Sequence, residues 1–460
     1  MNALKKKLEN RDATAAVIGL GYVGLPLALE IAAVGFNVIG IDLDRNKIAS
    51  LKQGKSYILD VSEKTLADGV NSGRFIPTFD FSALKNADTV SICVPTPLSK
   101  SRDPDISFIL SATEEIRKYL HADQLIVLES TTYPGTTDEL IVPELESSGL
   151  KVGKDFFVAF SPERIDPGNA SFNTHNTPKI VGGITDHCTE IARLFYSQFI
   201  ERVIPVSSTK CAEMVKLLEN TFRSVNIGMV NELAQMCDLL GVDVYEVIDA
   251  AATKPFGFIP FYPGPGLGGH CIPIDPHYLA WKLKALNFQA RFIGLAAEIN
   301  GMMPTVVTTL VADGLNRASK SIRGSKILIL GVAYKKNVSD CRESPALDVM
   351  RMLSDKGAVL SYNDPFVPTL RLGTDPLRSV ELSLAGIQSQ DCVIILTDHS
   401  DYDVPKIVEA AKLVIDTRNA TKGLQGYKDR IIKLGAGNNV PSPSHHENGH
   451  ELPQVGLVTH

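Results

Sequence analysis

Seven cysteines are scattered through 460 residues, at positions 93, 188, 211, 237, 271, 341 and 392, and no two of them make a Cys-x-x-Cys pair. That spread argues against a disulfide framework or a zinc site and for reduced thiols in a cytoplasmic chain. No stretch approaches 18 uninterrupted apolar residues, so nothing is expected to span a membrane. The first ten residues, Met1 to Asn10, carry charge but no apolar core before a cleavage site, which excludes a signal peptide. There is no sustained basic stripe and the net charge is −6, which argues against nucleic acid as a partner. A phosphate-bearing ligand stays open, because such sites are built from local amides and a few cations. What is present, 44% hydrophobic and 21% charged residues, is ordinary for a globular enzyme. A chain of this length exceeds one core, so two or three domains are expected.

The apolar run Ala13 to Ile18 leads into Gly19-Leu20-Gly21-Tyr22-Val23-Gly24, then a helical pattern, then a second apolar run, Asn37 to Ile41, ending in Asp42. Strand, glycine turn, helix, strand and acid is the context in which Gly-x-Gly-x-x-Gly signals a dinucleotide site. Gly19 makes the turn, Gly21 lets the backbone approach a pyrophosphate, and Gly24 allows close helix packing. Asp42 stands where a carboxylate takes a ribose hydroxyl, which favours NAD over NADP, while Lys47 is a nearby cation that could tolerate a 2′-phosphate. Further strands end at Pro95-Thr96-Pro97, at Glu129-Ser130-Thr131-Thr132 and at Ser161-Pro162-Glu163-Arg164. Ligands of a parallel sheet bind beyond the carboxyl ends of its strands, so Thr96, Thr131 and Glu163 become candidate cofactor-facing or catalytic groups.

A proline-free helical pattern from Thr209 to Leu240 is long enough to be a spine, and it carries Lys216 and Asn220 four residues apart on one face. Helices are expected over Val244–Ala252, His277–Leu286 and Ala290–Ala318. Between them lies an aperiodic segment with Phe256, Phe258, Phe261 and Tyr262, running into Gly264-Pro265-Gly266-Leu267-Gly268-Gly269-His270-Cys271, with Asp275 four residues on. An isolated cysteine is more often an inert buried thiol, but this glycine frame with ionisable neighbours suits a nucleophile. From Lys326 a second α/β pattern begins without the full glycine fingerprint, with Lys335, Arg342 and Arg418 as phosphate or carboxylate contacts. His445, His446 and His450 sit in a Pro/Ser/His-rich end that reads as a solvated tail rather than a metal site. No metal is expected. The expected architecture is α/β, two Rossmann-like doubly wound domains joined by a long central helix. Its divisions are 1–208 for NAD, 209–318 helical, 319–438 for the substrate nucleotide, and a disordered tail over 439–460.

These motifs, in this order over residues 13–435, resemble the UDP-glucose/UDP-N-acetylhexosamine 6-dehydrogenase family. They are Gly19 to Gly24, Val94-Pro95-Thr96-Pro97, Glu129-Ser130-Thr131, Ser161-Pro162-Glu163, Lys216 to Asn220, Gly268 to Cys271 with Asp275, and Tyr334-Lys335-Lys336 with Arg342-Glu343-Ser344. The resemblance implies oxidation of a UDP-sugar by NAD, with Cys271 as the nucleophile carrying a thiohemiacetal and then a thioester. It implies that Lys216 and Asn220 stabilise oxyanions, that Asp275 moves protons, and that Thr131 and Glu163 assist proton transfer and hydrolysis. It also gives Lys335, and less directly Arg418, to the UDP-sugar, Arg342 to NAD, the Phe261–Tyr262–Gly268 loop to the sugar, and the central helix to a homodimer or larger homo-oligomer. His270 stands where serine is common in the UDP-glucose branch, and Pro167 where that branch has a second glutamate. With Ser161 to Arg164 and Lys254 to Phe258, this resembles the N-acetylhexosamine branch and implies UDP-N-acetyl-D-glucosamine. UDP-glucose and UDP-N-acetylmannosamine remain as alternatives. A two-electron hydroxyacid dehydrogenase would need neither the cysteine nor the α/β region after residue 320, and an NAD-sensing scaffold would make the cysteine loop incidental.

Overall fold

The computed structural model describes residues 2–58, 61–99, 103–165, 171–269, 271–373, 375–427 and 429–437. His270, Pro167 and the three tail histidines lie outside these residues. The chain divides into two compact units, one made of residues 1–228, 267–301 and 333–345, the other of residues 229–266, 302–332 and 346–460.

The first unit is built on an eight-stranded sheet. Its strands are β1 (Thr14–Ile18), β2 (Asn37–Ile41), β3 (Phe75–Thr78), β4 (Thr89–Ile92), β5 (Leu125–Leu128), β6 (Phe157–Phe160), β7 (Lys179–Gly183) and β8 (Val203–Pro205). Their order is β3-β2-β1-β4-β5-β6-β7-β8, parallel throughout except where β7 meets β6. Every residue of β4, β5 and β6 is buried, as expected of strands covered on both faces. Alternate residues feed opposite layers. Val17, Val38, Val127 and Phe157 join one core, and Ile18, Ile39, Leu128 and Val158 join the other.

At the carboxyl end of β5 this packing encloses an ionic group. The Glu129 side chain is fully buried and accepts hydrogen bonds from Lys179 Nζ at 2.5 Å and from the Tyr196 hydroxyl at 2.5 Å. Burial alone would expel such a charge, so both partners are needed to hold it. A second buried carboxylate, Glu213, ties the 32-residue helix Thr209–Leu240 to the segment that follows β5 by accepting from Gly135 N, Thr137 N and Thr137 Oγ1.

That helix and Val244–Ala252 lie where the periodicity puts them. The helix expected over 277–286 instead spans Asp275–Lys284. Pro276 suits a first helical turn, where its missing N–H has no partner to lose. Within the first unit, Arg291–Arg317 starts close against the long helix. A Cβ on Gly228 would stand 3.3 Å from Ala296 Cα, and Asn300 Nδ2 donates to Ser224 O at 3.1 Å. Arg291–Arg317 is long and apolar enough, with a mean hydropathy of 1.3, to cross a membrane by length and composition. It contains no run of 18 uninterrupted apolar residues, because polar residues such as Glu298 and Asn300 break the run but not the average. Core helices of globular proteins meet the same description, and here Met303, Val307, Val311 and Leu315 are fully buried.

The second unit carries five parallel strands: β9 (Lys326–Leu330), β10 (Val359–Asn363), β13 (Cys392–Ile395), β14 (Val414–Asp416) and β15 (Ile431–Lys433). Their order is β10-β9-β13-β14-β15, and a separate hairpin pairs β11 (Thr369–Leu372) with β12 (Asp375–Arg378). Both sheets are of the doubly wound kind that the βα alternation implies.

Candidate active site

The glycine turn after β1 is packed in a way that only glycine permits at two points. Gly19 has φ +91°, and a Cβ there would lie 2.4 Å from Cys93 O; one on Gly24 would lie 1.9 Å from Gly19 O. Gly21 is different, since a Cβ would meet nothing within 4 Å, so its backbone faces open space. The helix Gly24–Ala33 behind it has no side-chain cap at Val23, so the positive end of its dipole faces the turn and favours an anion there. At the end of β2, Asp42 Oδ2 accepts from Leu20 N at 3.0 Å and lies 3.4 Å from Lys47 Nζ. Lys47 is thus an ion-pair partner of Asp42. Tyr57 holds the same turn from its other side, its hydroxyl donating to Leu20 O at 2.5 Å. Open backbone, uncapped helix end and carboxylate together fit the pyrophosphate and ribose of a dinucleotide.

This crevice opens into a cleft of about 400 Å³ formed wholly within the first unit. It brings together Gly21, Tyr22, Val23, Lys47, Thr96, Thr131, Glu163, Lys216, Asn220, Gly268, Cys271, Lys335 and Arg342. Asp275 closes the set from behind: it is buried, and its Oδ2 accepts from Asn220 Nδ2 at 2.5 Å. The cysteine loop turns into the helix at that point, with Asp275 N donating to Cys271 O at 2.8 Å. The Lys216 ammonium donates to the Glu163 carbonyl.

Gly268 and Gly269 let the loop pass under a tyrosine. A Cβ on Gly268 would lie 2.7 Å from Tyr334 Cβ, and one on Gly269, at φ +89°, would lie 2.8 Å from the Tyr334 ring. Gly269 N donates to Arg342 O at 3.1 Å. The Arg342 guanidinium forks onto Asp340, with contacts of 3.0 and 2.7 Å, and stands 5.2 Å over the ring of Tyr22. Segment 333–345 therefore joins the phosphate turn to the cysteine loop.

Desolvation dominates the electrostatics. It pushes the Cys271 thiol up to about 11, helped by the Asp275 charge and opposed by Lys216. It pushes Asp275 up to about 6, against the pull of Lys216 and the Asn220 hydrogen bond. Burial works against the Lys216 ammonium, but Cys271, Asp275 and Glu163 outweigh it and hold the group above its ordinary value. A neutral thiol beside a carboxylate raised to about 6, under a fixed cation, has the parts that thiol chemistry needs: a base in reach and a stabiliser for negative oxygen.

Three sequence-predicted residues lie in the second unit instead. Arg418 follows β14, its Nε donating to Leu396 O at 2.9 Å, and desolvation lowers its pKa. Gly264 leaves room for it, since a Cβ there would stand 2.5 Å from Arg418 Nη1. Tyr262 stacks on Tyr245 with centroids 6.3 Å apart and donates to Asp249 at 2.7 Å, while Phe261 packs on the cluster containing Val244 and Ile248. Conversely, the cleft holds residues that sequence reasoning passed over: Cys93, Tyr57, Asp340 and Arg223. The signal for Arg223 was available, because residues 216, 220 and 223 recur at helical spacing on one face.

Comparison with known proteins gives three domain matches in chain order. They are the NAD binding domain of the UDP-glucose/GDP-mannose dehydrogenase family over residues 13–200, its central domain over 210–302, and its UDP binding domain over 328–423. Among similar chains, a UDP-N-acetyl-D-mannosamine dehydrogenase of Methanococcus maripaludis is 35% identical over 91% of this chain and 97% of its own. A UDP-N-acetyl-D-glucosamine 6-dehydrogenase of Pseudomonas aeruginosa is also 35% identical, over 85% of this chain and 92% of its own. The solved UDP-D-ManNAc dehydrogenase of Pyrococcus horikoshii superposes with a TM-score of 0.84 at 33% identity, covering 92% of this chain and 100% of that one. With a nucleotide turn, a cysteine cleft and three matching domains, the chain belongs to the UDP-glucose/GDP-mannose dehydrogenase family and is an NAD-dependent oxidoreductase.

Proposed function

We propose that this protein oxidises the C6 hydroxymethyl of a UDP-N-acetylhexosamine, UDP-N-acetyl-D-glucosamine by the sequence reading, to the uronic acid. The observation that carries it is Cys271 in one cleft with Lys216 and Asn220, backed by Asp275, and opening from the nucleotide turn. NAD supplies the hydride acceptor, twice per sugar. Overall, one alcohol, two NAD⁺ and one water give one carboxylate, two NADH and three protons. Cys271 adds to the aldehyde of the first oxidation, the resulting thiohemiacetal offers a second C–H for hydride removal, and water releases the acid from the thioester. Lys216 and Asn220 stabilise the oxygen anions, Asp275 takes the proton that Cys271 gives up on attack, and Thr131 and Glu163 serve proton transfer and hydrolysis. Within the first unit, Lys335 is assigned to the UDP group, Gly268 to the sugar, and Arg342 to the cofactor side. Arg223, one turn beyond Asn220, is a donor suited to an acetamido oxygen.

Names among similar chains favour a second sugar, UDP-N-acetyl-D-mannosamine. NADH formation with single UDP-sugars separates the two, and turnover confined to UDP-glucose would sink the acetamido reading. Two NADH per sugar are expected; one NADH with accumulating aldehyde would sink the four-electron route. The domain division given above, a cytoplasmic setting and assembly as a homodimer complete the proposal. The exposed apolar face of Met214, Leu218, Phe222 and Met229 on the long helix supports assembly. Light scattering on Leu218→Asp, expected to be monomeric, checks it.

A pH dependence follows from Asp275. Its pKa is raised to about 6, so it is charged, and able to accept a proton, only above that pH. Below it, kcat/KM should fall by roughly tenfold per pH unit. Asp275→Asn should abolish that limb, and a limb that persists in the variant would reject the assignment.

A further inference from the structure

Glu163 lies in the connection that follows β6, and the side chain after it adds a tie to that connection beyond those of Ser161 and of the Glu163 carbonyl. Arg164 reaches two separate parts of the fold at once. Its Nη2 and Nε donate to Glu219 at 2.6 and 3.3 Å, and its Nη1 donates to Pro178 O at 2.6 Å, just before β7. Glu219 lies on the long helix between Lys216 and Asn220, on the flank of the face they present to the cleft. The Lys216 ammonium in turn holds the Glu163 carbonyl. Loop and helix are thus pinned at two neighbouring points, one inside the cleft and one outside it.

The two pins differ in what they secure. Lys216 rides on a regular helix and also feels Cys271 and Asp275, so it keeps its place without Arg164. Among the described residues, the Glu163 carboxylate accepts from Ile165 N–H, two positions on in the same loop, so its direction follows that loop. Arg164 and Glu219 are about one-third exposed, with side-chain accessibilities of 27% and 34%. Ion pairs of that exposure add little to overall stability, yet a bidentate fork is geometrically exacting.

We propose that Arg164, through Glu219 and Pro178, is a positioning residue for the hydrolytic half of the reaction. It holds the Glu163 carboxylate where it can take a proton from water. That water adds to the acyl carbon of the Cys271 thioester, the carbon–sulfur bond breaks, and the thiolate leaves and is reprotonated, with no change of oxidation state. This rests on the thioester route proposed above.

The test measures steady-state rates, melting temperature and the intact mass of the enzyme during turnover with NAD and the best UDP-sugar. For Arg164→Met, kcat should fall on the order of 30-fold, as displacement of a reacting group does. KM values should stay within about threefold and melting should barely change. Enzyme carrying the acyl group on Cys271 should accumulate. Arg164→Lys should recover part of kcat, and the exchanged pair Arg164→Glu with Glu219→Arg should recover more than either single change. A kcat within twofold of wild type, or a loss without the acyl mass, overturns the assignment. Cys271→Ser run alongside separates the failures: if it keeps turnover, the thioester route is wrong. If it is dead while Arg164→Met is normal, only the role of Arg164 is wrong.

Discussion

Cys271→Ser is expected to lower steady-state NADH formation by about a thousandfold or more, with affinities for both substrates little changed. The thiol is the weaker acid of a matched pair, raised to about 11 beside a carboxylate raised to about 6. A serine hydroxyl is a weaker acid still, and the gap to Asp275 then exceeds what the Lys216 cation can bridge. Any oxygen ester that does form is also a poorer acyl donor to water than a thioester. The variant should therefore show at most about one covalent turnover, visible as a mass increase or a small burst of NADH. Turnover within tenfold of wild type would show that Cys271 is one of the inert thiols of the chain.

The second large effect is on stability. Lys179→Met should destabilise the first unit by about 3–5 kcal/mol, because it strands the fully buried Glu129 carboxylate with a single phenol for company. For a unit of this size that is a loss on the order of 10 °C in melting temperature. Pairing it with Glu129→Gln should recover much of the loss, since no charge is then left alone. The coupling between the two changes is the decisive quantity. A single variant that melts within about 2 °C of wild type would mean that the lysine is not what holds the carboxylate. Because Glu129 precedes Ser130 and Thr131 on the cleft wall, the same loss should loosen the site before it unfolds the protein.

The parts of this architecture that could be read from sequence are those with a local signature. The Gly19–Gly24 turn, the apolar strands ending at Thr96, Thr131 and Glu163, and the spacing of Lys216 and Asn220 each state their geometry within a few residues. β3, β7 and β8 were not readable in the same way. Phe75–Thr78 is four residues with a proline, and Lys179–Gly183 opens on a charge and closes on two glycines. Contacts between distant positions were invisible as well. Nothing in the chain announces that Lys179 meets Glu129 across 50 residues, or that Arg164 meets Glu219 across 55. Arg223 was overlooked for a different reason, since an arginine on a long helix ordinarily means solvent.

The cleft is assembled from three separated pieces of chain, and the last of them, residues 333–345, arrives only after more than two thirds of the 460 residues. A ribosome releases the nucleotide turn early, and domains generally fold as they emerge. Yet Tyr334 cannot cover Gly268 and Gly269, nor Arg342 reach Tyr22, until that late segment is free. Nascent chains should therefore acquire a dinucleotide site long before they acquire a finished reaction chamber. A fragment that stops short of residue 333 keeps the residues of the nucleotide turn without those that cover the cysteine loop.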